Sequence, residues 1–232
     1  MEAPPRVEAP PEAAREIFGS MLPVAEAYAA LLAGPGVQRG LIGPAETGRI
    51  WERHLLNSAV VAELVPSPSL LADLGSGAGL PGIVLAMLLP KVQVILVEPM
   101  ARRTLFLQDC VAALGLTNVQ IRRGRAEELA GQIGADVVTA RAVARLDRLA
   151  AMATGLARPG GLVLAIKGAT AAQELDQARP VLRRLGVTGA ELVVAGTGRI
   201  SQPVTVIRFA AAGGGQGQQR HRKQRSVKQR PT

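Results

Sequence analysis

Residues 73–82 read Asp-Leu-Gly-Ser-Gly-Ala-Gly-Leu-Pro-Gly and follow directly on the apolar run Leu70-Leu71-Ala72. This order describes a strand running into a tight glycine loop. Gly75, Gly77 and Gly79 omit Cβ where backbone must approach a ligand closely or take positive φ. The next acidic residue, Glu98, ends a second apolar strand, Val92-Gln93-Val94-Ile95-Leu96-Val97. A strand-end carboxylate roughly 20 residues beyond such a loop is placed to hold ribose hydroxyls. The stretch reads as a site for an adenosine-containing cofactor. Glu98 would take the ribose, and Gly75, Ser76, Gly77 and Gly79 would allow close backbone approach.

The loop also contains Gly77-x-Gly79-x-x-Gly82, which satisfies the dinucleotide fingerprint, a weak pattern by itself. Asp73 argues against a dinucleotide, because a carboxylate beside a pyrophosphate is repelled by it. S-adenosylmethionine has no phosphate and carries a sulfonium and an ammonium group. Acidic Asp73 and Glu98 flanking neutral glycines suit it better, so S-adenosylmethionine is the expected cofactor. A second reading of Asp73, as a cap on the turn that follows, stays open.

A chain of 232 residues, 48% of them apolar, has ample material for one core plus appendages. Its aromatics are Phe18, Tyr28, Trp51, Phe106 and Phe209, too few for a module that reads single-stranded RNA by stacking. Cys110 stands alone, so no internal disulfide or cysteine-rich zinc site forms. With only His54 and His221 besides, a structural metal is not expected. Met1 to Pro11 is proline-rich and acidic with no apolar centre, unlike a signal peptide. The run Ile83 to Leu89 is far too short to span a bilayer. A soluble cytoplasmic monomer is the expectation.

The net charge of +9 is unevenly placed. Residues 1–210 hold 21 Lys and Arg against all 18 acids, while residues 211–232 carry Arg220, Arg222, Lys223, Arg225, Lys228 and Arg230 with no acid. The tail opens on Gly213-Gly214-Gly215-Gln216-Gly217-Gln218-Gln219, which cannot build a core and reads as disordered. Such a tail attracts polyanions, or is simply solvated.

Along the chain, a flexible N-terminus (1–11) precedes a helical extension (12–66). Within it, one helical stretch covers 12–33, stopped by Gly34-Pro35-Gly36, and a second runs from Pro44 to about Val65. A sheet-forming domain (67–210) follows, then the basic tail (211–232). Strands are expected near 70–74, 92–97, 118–122, 136–140, 161–167, 190–195 and 203–209. Helices are expected at 80–89, 100–114, 125–132, 145–157 and 170–185. The short Gly196-Thr197-Gly198 region leaves no room for a crossover helix, so the last two strands should pair antiparallel. The fold class is α/β: a doubly wound, mostly parallel seven-stranded sheet, Rossmann-like, of the class I S-adenosylmethionine-dependent methyltransferase kind. Ligands in such sheets collect at the carboxyl ends of the strands. That places Gly75–Gly82, Glu98, Arg125-Ala126-Glu127 and Arg141 around one crevice.

Several segments in order resemble the small-subunit ribosomal RNA guanine-N7 methyltransferases, the glucose-inhibited division protein B family. They are Arg53-His54-Leu55-Leu56-Asn57-Ser58, the loop Asp73–Gly82, Arg102-Arg103 with Phe106-Leu107, and Gly124-Arg125-Ala126-Glu127. Arg141-Ala142-Val143-Ala144 and Ala165-Ile166-Lys167-Gly168 complete the set, which covers roughly residues 17–209. Asn57 stands where that family often has Asp, and Thr139 where Ser is common. The resemblance implies cofactor contacts at Gly75, Leu80, Ala126, Glu127 and Arg141. It implies 16S rRNA, or the small ribosomal subunit, as partner, with the guanine at nucleotide 527 of the decoding region as target.

Guanine N7 carries a lone pair and no proton at neutral pH, so its methylation needs no general base. The chain lacks the Asn/Asp-Pro-Pro-aromatic motif used on exocyclic amines, and it has no Pro-Cys nucleophile after strand four. Catalysis would rest on alignment, which can supply ~7–11 kcal/mol, and a guanine in folded RNA would be turned out of its stack. Arg141 and Lys167, at strand ends, are the orienting candidates toward O6 or phosphate. His54 and Asn57 share a helical face and, with Arg103 and Lys167, are candidates to contact RNA. Plainer readings stand beside these: a helix-packing His54, an Arg103 that anchors its helix to Glu98, a core Trp51. Rival functions are a methyltransferase for another RNA or a small molecule, a nicotinamide oxidoreductase, and an RNA-binding protein with a vestigial cofactor fold.

Overall fold

The computed structural model describes residues 7–67, 69–187 and 189–212. The seven strands are β1 (Leu70–Leu74), β2 (Gln93–Glu98), β3 (Val119–Arg123), β4 (Ala135–Arg141), β5 (Ala157–Lys167), β6 (Glu191–Ala195) and β7 (Val204–Ala210). They form one sheet in the order β3-β2-β1-β4-β5-β7-β6. Strands β1 to β5 pair in parallel, and β7 runs antiparallel between β5 and β6. The expected antiparallel pairing of the last two strands is therefore present. The order reverses between β1 and β4, and a crevice opens at such a switch point.

Successive residues of each central strand face opposite sides, as the strand period of two requires. Leu71, Val94, Leu96, Val137 and Leu164 enter one core cluster, and Ala72, Ile95, Val97, Val138 and Val163 the other. Both faces are covered, which explains why these strands are near-continuous apolar runs. On the first face lie the N-terminal helices α1 (Glu12–Phe18), α2 (Leu22–Leu31) and α3 (Asn57–Ala59), with α4 (Gly82–Leu88) and α5 (Ala101–Ala113). The second face carries α6 (Leu146–Leu156) and α7 (Ala171–Arg184).

The helical extension is bound to the sheet domain at defined points. The buried Tyr28 hydroxyl donates to Ala78 O in the glycine loop at 2.7 Å. Glu63 Oε1 accepts from Gly196 N–H of the β6–β7 turn at 2.9 Å. The Trp51 indole N–H donates to Glu8 O at 2.8 Å, so the chain from residue 7 onward is packed against the extension. The run Glu12–Gly36, 25 residues, is long and apolar enough to cross a membrane by length and composition alone. Here Ala14, Phe18, Ala25, Tyr28, Ala29 and Leu32 along it are core residues.

Three expectations need correction. Gly34-Pro35-Gly36 does not stop the first helical stretch, which runs through it as a π-helical turn, Leu32–Gly36, because Leu32, Ala33 and Gly36 are buried against the core. Residues 125–132 form turns, not a helix. Glycines at 124 and 131 bracket them, Gly131 at φ +73°, and so short a segment cannot repay helix nucleation. Strand five begins at Ala157, not Gly161, because Ala157 pairs with Ala135 of β4 ahead of a register shift, and Gly160 and Gly161 are bonded to Ala211 on the other side. The basic tail from Gly213 onward lies outside the described residues.

Candidate active site

The glycine loop is shaped by backbone bonds to the neighbouring strand. Gly75 N–H and Ser76 N–H both donate to Val97 O, at 2.9 and 3.1 Å. Gly75 sits at φ +69°, and a Cβ on it would lie 2.8 Å from Val143 Cγ2 in the β4–α6 loop. Two independent constraints thus exclude a side chain there. Gly82 is excluded by packing alone: its Cβ would meet Leu96 and would lie 2.7 Å from Asp73 Oδ2.

Asp73 is turned inward. Its Oδ1 accepts from Thr139 Oγ1 at 2.9 Å and its Oδ2 from Gly82 N–H at 3.1 Å, at the start of α4. Ser76 Oγ donates to its carbonyl at 2.9 Å. Burial pushes the Asp73 carboxyl up to about 6, against the pull of these hydrogen bonds. The carboxylate braces the turn and does not face the crevice. The electrostatic argument that set Asp73 against a pyrophosphate therefore falls away.

Glu98 holds the position expected of it. Its side chain is 1% exposed. Oε2 accepts from Gly77 N–H and Oε1 from Met100 N–H, both at 3.0 Å. Arg103 Nη1 stands 3.6 Å from Oε2. Each carboxylate oxygen keeps a further lone pair, and Glu98 lines a cleft of about 490 Å³ together with Gly75, Arg103, Ala126 and Glu127. A smaller cavity of about 230 Å³ adjoins it, bounded by His54, Gly75, Ser76, Gly77, Leu80 and Arg141. Missing Cβ atoms, a carboxylate with spare acceptor capacity and the small side chain of Ala126 fit a nucleoside cofactor. Gly79 borders neither space. It is a packing glycine at φ +97°, where a Cβ would lie 2.8 Å from the Tyr28 hydroxyl.

A third and larger cleft, about 760 Å³, opens on the other side of the β4 tip, lined by Arg53, Asn57, Arg141, Lys167, Glu174 and Gln202. Ala142 borders all three spaces. It adopts φ 55°, uncommon for a residue with a Cβ. Nothing in its sequence context marks this, and the strained turn puts the backbone between the clefts.

Arg141 reaches the N-terminal extension. Its Nη2 donates to Arg53 O at 2.8 Å and to His54 Nδ1 at 3.0 Å, and its Nη1 to Ser58 Oγ at 3.3 Å. The acceptors lie on or next to a π-helical stretch, Ile50–Leu56. His54 is consequently a neutral acceptor at Nδ1: burial first, then the Arg141 charge, lowers it to about 4. Its Nε2 stands 3.2 Å from Glu46 Oε2 without an aligned hydrogen bond. Lys167 Nζ donates to Ala144 O at 2.8 Å and pairs with Glu174 Oε2 at 2.7 Å.

The structure thus gathers Gly75, Ser76, Gly77, Leu80, Glu98, Ala126 and Glu127 on the cofactor side, with Arg103 among them rather than in the large cleft. Asn57 and Lys167 line the large cleft, His54 the small cavity, and Arg141 both. Glu174 and Gln202 escaped the sequence reading; each is far along the chain from any motif and is placed by topology.

A family model described as "GidB: rRNA small subunit methyltransferase G" matches residues 21–200. The chain is 54% identical over 199 residues to the ribosomal RNA small subunit methyltransferase G of Thermobifida fusca, covering 86% of this chain and 84% of that protein. It is 53% identical over 211 residues to the Salinispora tropica protein of the same name, with 87% of each covered. Among solved structures, a SAM-dependent O-methyltransferase from Thermotoga maritima superposes with a TM-score of 0.52 at 15% identity, over 69% of this chain and 66% of that one. This last likeness is one of fold. With a family match spanning most of its length and relatives more than half identical over the matched stretch, the chain belongs to the ribosomal RNA small subunit methyltransferase G family.

Proposed function

We propose that this chain methylates N7 of a guanine in 16S rRNA with S-adenosylmethionine as donor, the target being nucleotide 527 of the decoding region. The observation that carries the reading is that three spaces meet at the β4 tip with Ala142 as a shared wall: a nucleoside-sized cleft at Glu98, a small cavity at the glycine loop, and a large open cleft. S-adenosylmethionine, when bound, supplies an electrophilic methyl group on a sulfonium. Glu98 accepts the ribose hydroxyls, and Gly75 to Gly77 let the backbone approach the rest.

The ionisable groups around the small cavity support N7 as the nucleophile. They are His54, Arg103 and Arg141, with no carboxylate among them. His54 is already an acceptor for Arg141 and resists protonation. No side chain there stands ready to remove a proton, and an N7 lone pair requires none. What the residues supply is alignment and exclusion of water. The chain would act as a cytoplasmic monomer; among the described residues, the long apolar run Glu12–Gly36 places Phe18, Tyr28 and Leu32 in the core.

Two measurements test this. Mass-spectrometric mapping of 16S rRNA from cells lacking the protein should show one 7-methylguanosine missing, restored by the wild-type gene. An unchanged modification map would overturn the substrate. Titration of the purified protein should show binding of S-adenosylmethionine and none of NAD; tight NAD binding would overturn the cofactor.

A further inference from the structure

The large cleft contains an ion pair that the transfer itself does not use. Lys167 ends β5 and Glu174 lies in the first turn of α7. Their side chains are 9% and 21% exposed, and both border the cleft that also holds Asn57 and Arg141. The ammonium has three donors. Two are engaged, by Glu174 Oε2 and Ala144 O, which leaves one. On Glu174, Oε2 also accepts from Leu146 N–H at 3.3 Å, whereas Oε1 accepts from Thr170 Oγ1 alone, also at 3.3 Å. Burial works against the Glu174 charge, but the hydrogen bond and charge of Lys167, with the hydrogen bonds from Leu146 and Thr170, together hold the carboxyl below its ordinary range.

The pair therefore offers the cleft one free donor beside a carboxylate oxygen, Oε1, with one lone pair unused. Guanine presents the complementary edge: O6 accepts, while N1–H and the 2-amino group donate. Adenine presents the reverse, with an amino donor against the ammonium and a ring-nitrogen lone pair against the carboxylate. Buried polar groups left unpaired in this way are costly. Recognition along this edge also leaves N7 free, because no protein donor sits on the atom that must react.

We propose that Glu174, held in place by Lys167, is the base-recognition residue that selects guanine through its 2-amino group. The proposal rests on the guanine-N7 reading above and adds the residue that enforces it. The plainer alternative is that the pair only braces the β4–α6 loop through Ala144 and Leu146.

The test separates the two by base analogue. The full-length protein is assayed on 16S RNA ligated around a synthetic segment carrying guanine or inosine at the target. Inosine keeps O6, N1–H and N7 but lacks the 2-amino group. The wild-type protein should methylate the guanine RNA roughly tenfold or more faster than the inosine RNA. Glu174→Gln and Glu174→Ala should both be slower on guanine, with the guanine-to-inosine ratio falling toward one. A bracing role would slow both RNAs alike, and an unchanged ratio in the variants would overturn the proposal. Equal wild-type rates on the two RNAs would overturn it as well. If the wild-type protein methylates N7 in neither RNA, the functional reading fails first and the proposal goes with it.

Discussion

Asp73 and His54 are both buried, both sit beneath the crevice, and they titrate in opposite senses. Asp73 is raised to about 6 from a model-compound value of 3.8 by burial, so folding binds its proton more tightly. Its contribution is fully present below about 3.8 and is lost as pH rises through about 6. His54 is lowered from 6.5 to about 4, by burial and by Arg141, so its contribution is present above about 6.5 and lost as pH falls through about 4. Each is worth about 3 kcal/mol across nearly the same window. The two slopes oppose, and the wild-type protein should show little net pH dependence from them between pH 4 and 6.5. Asp73→Asn should expose the His54 slope, making the protein more stable at pH 6.5 than at pH 4.5. His54→Asn, whose amide oxygen still accepts from Arg141, should expose the opposite one. Urea unfolding at the two pH values reads both, and parallel behaviour of the two variants would refute the pairing. That Asp73 braces a turn rather than facing a ligand was not legible in the sequence. The motif gives its position in the strand, but which way its carboxylate is satisfied depends on Thr139, 66 residues away.

Among the elements, the π-helical stretch Ile50–Leu56 is held by a distant part of the chain. Its Arg53 carbonyl and His54 ring are satisfied by Arg141 from the β4 tip, and the adjoining Ser58 is bonded both to His54 O and to Arg141. Arg141→Ala should cost about 1–3 kcal/mol by leaving these acceptors unpaired. It should also raise amide exchange over residues 50–58 while the central strands stay protected. Arg141→Lys should rescue little, since a single ammonium cannot span a carbonyl, a ring nitrogen and a hydroxyl as the planar fork does. Uniform loss of protection across the sheet would show that Arg141 supports the whole fold instead. The strand–helix alternation around this element was legible because each strand is an apolar run closed by a turn. The winding on either side of α3 was not: Pro44–Arg49 and Val60–Leu64 are 3-10 and Ile50–Leu56 is π-helical, and residue spacing alone does not distinguish these from an ordinary helix. The missing helix at 125–132 has a local cause: Arg125 opens a first turn, its N–H donating to Glu128 Oε2 as at a helix start, but Gly131 at φ +73° ends the segment before a second turn can form.

For the molecule as a whole, the parallel sheet gathers cations on one edge. Arg102 and Arg103 open the chain after β2, Arg125 follows β3, and Arg145 and Arg148 follow β4, so all lie on the carboxyl side where the clefts open. This much of the site was legible, because strand order and strand ends fix it once the glycine loop is placed. The contacts between distant segments, such as Glu63 with Gly196, were not, since no local pattern encodes them. Beyond the sheet, residues 213–232 add six cations and no acid to a body of about +3. For a polyanionic substrate each neutralised phosphate releases counterions, and the salt dependence counts the contacts. Truncation after Ala212 should therefore weaken 16S RNA binding at low salt and flatten the log–log salt slope by up to about 4. Above the ionic strength at which exposed charges are screened, the full-length and truncated proteins should converge. Methyl transfer at saturating RNA should not change, because the clefts at the strand ends are intact. Superimposable binding curves at low salt would mean that the tail takes no part in holding RNA, leaving that task to the arginines around the clefts.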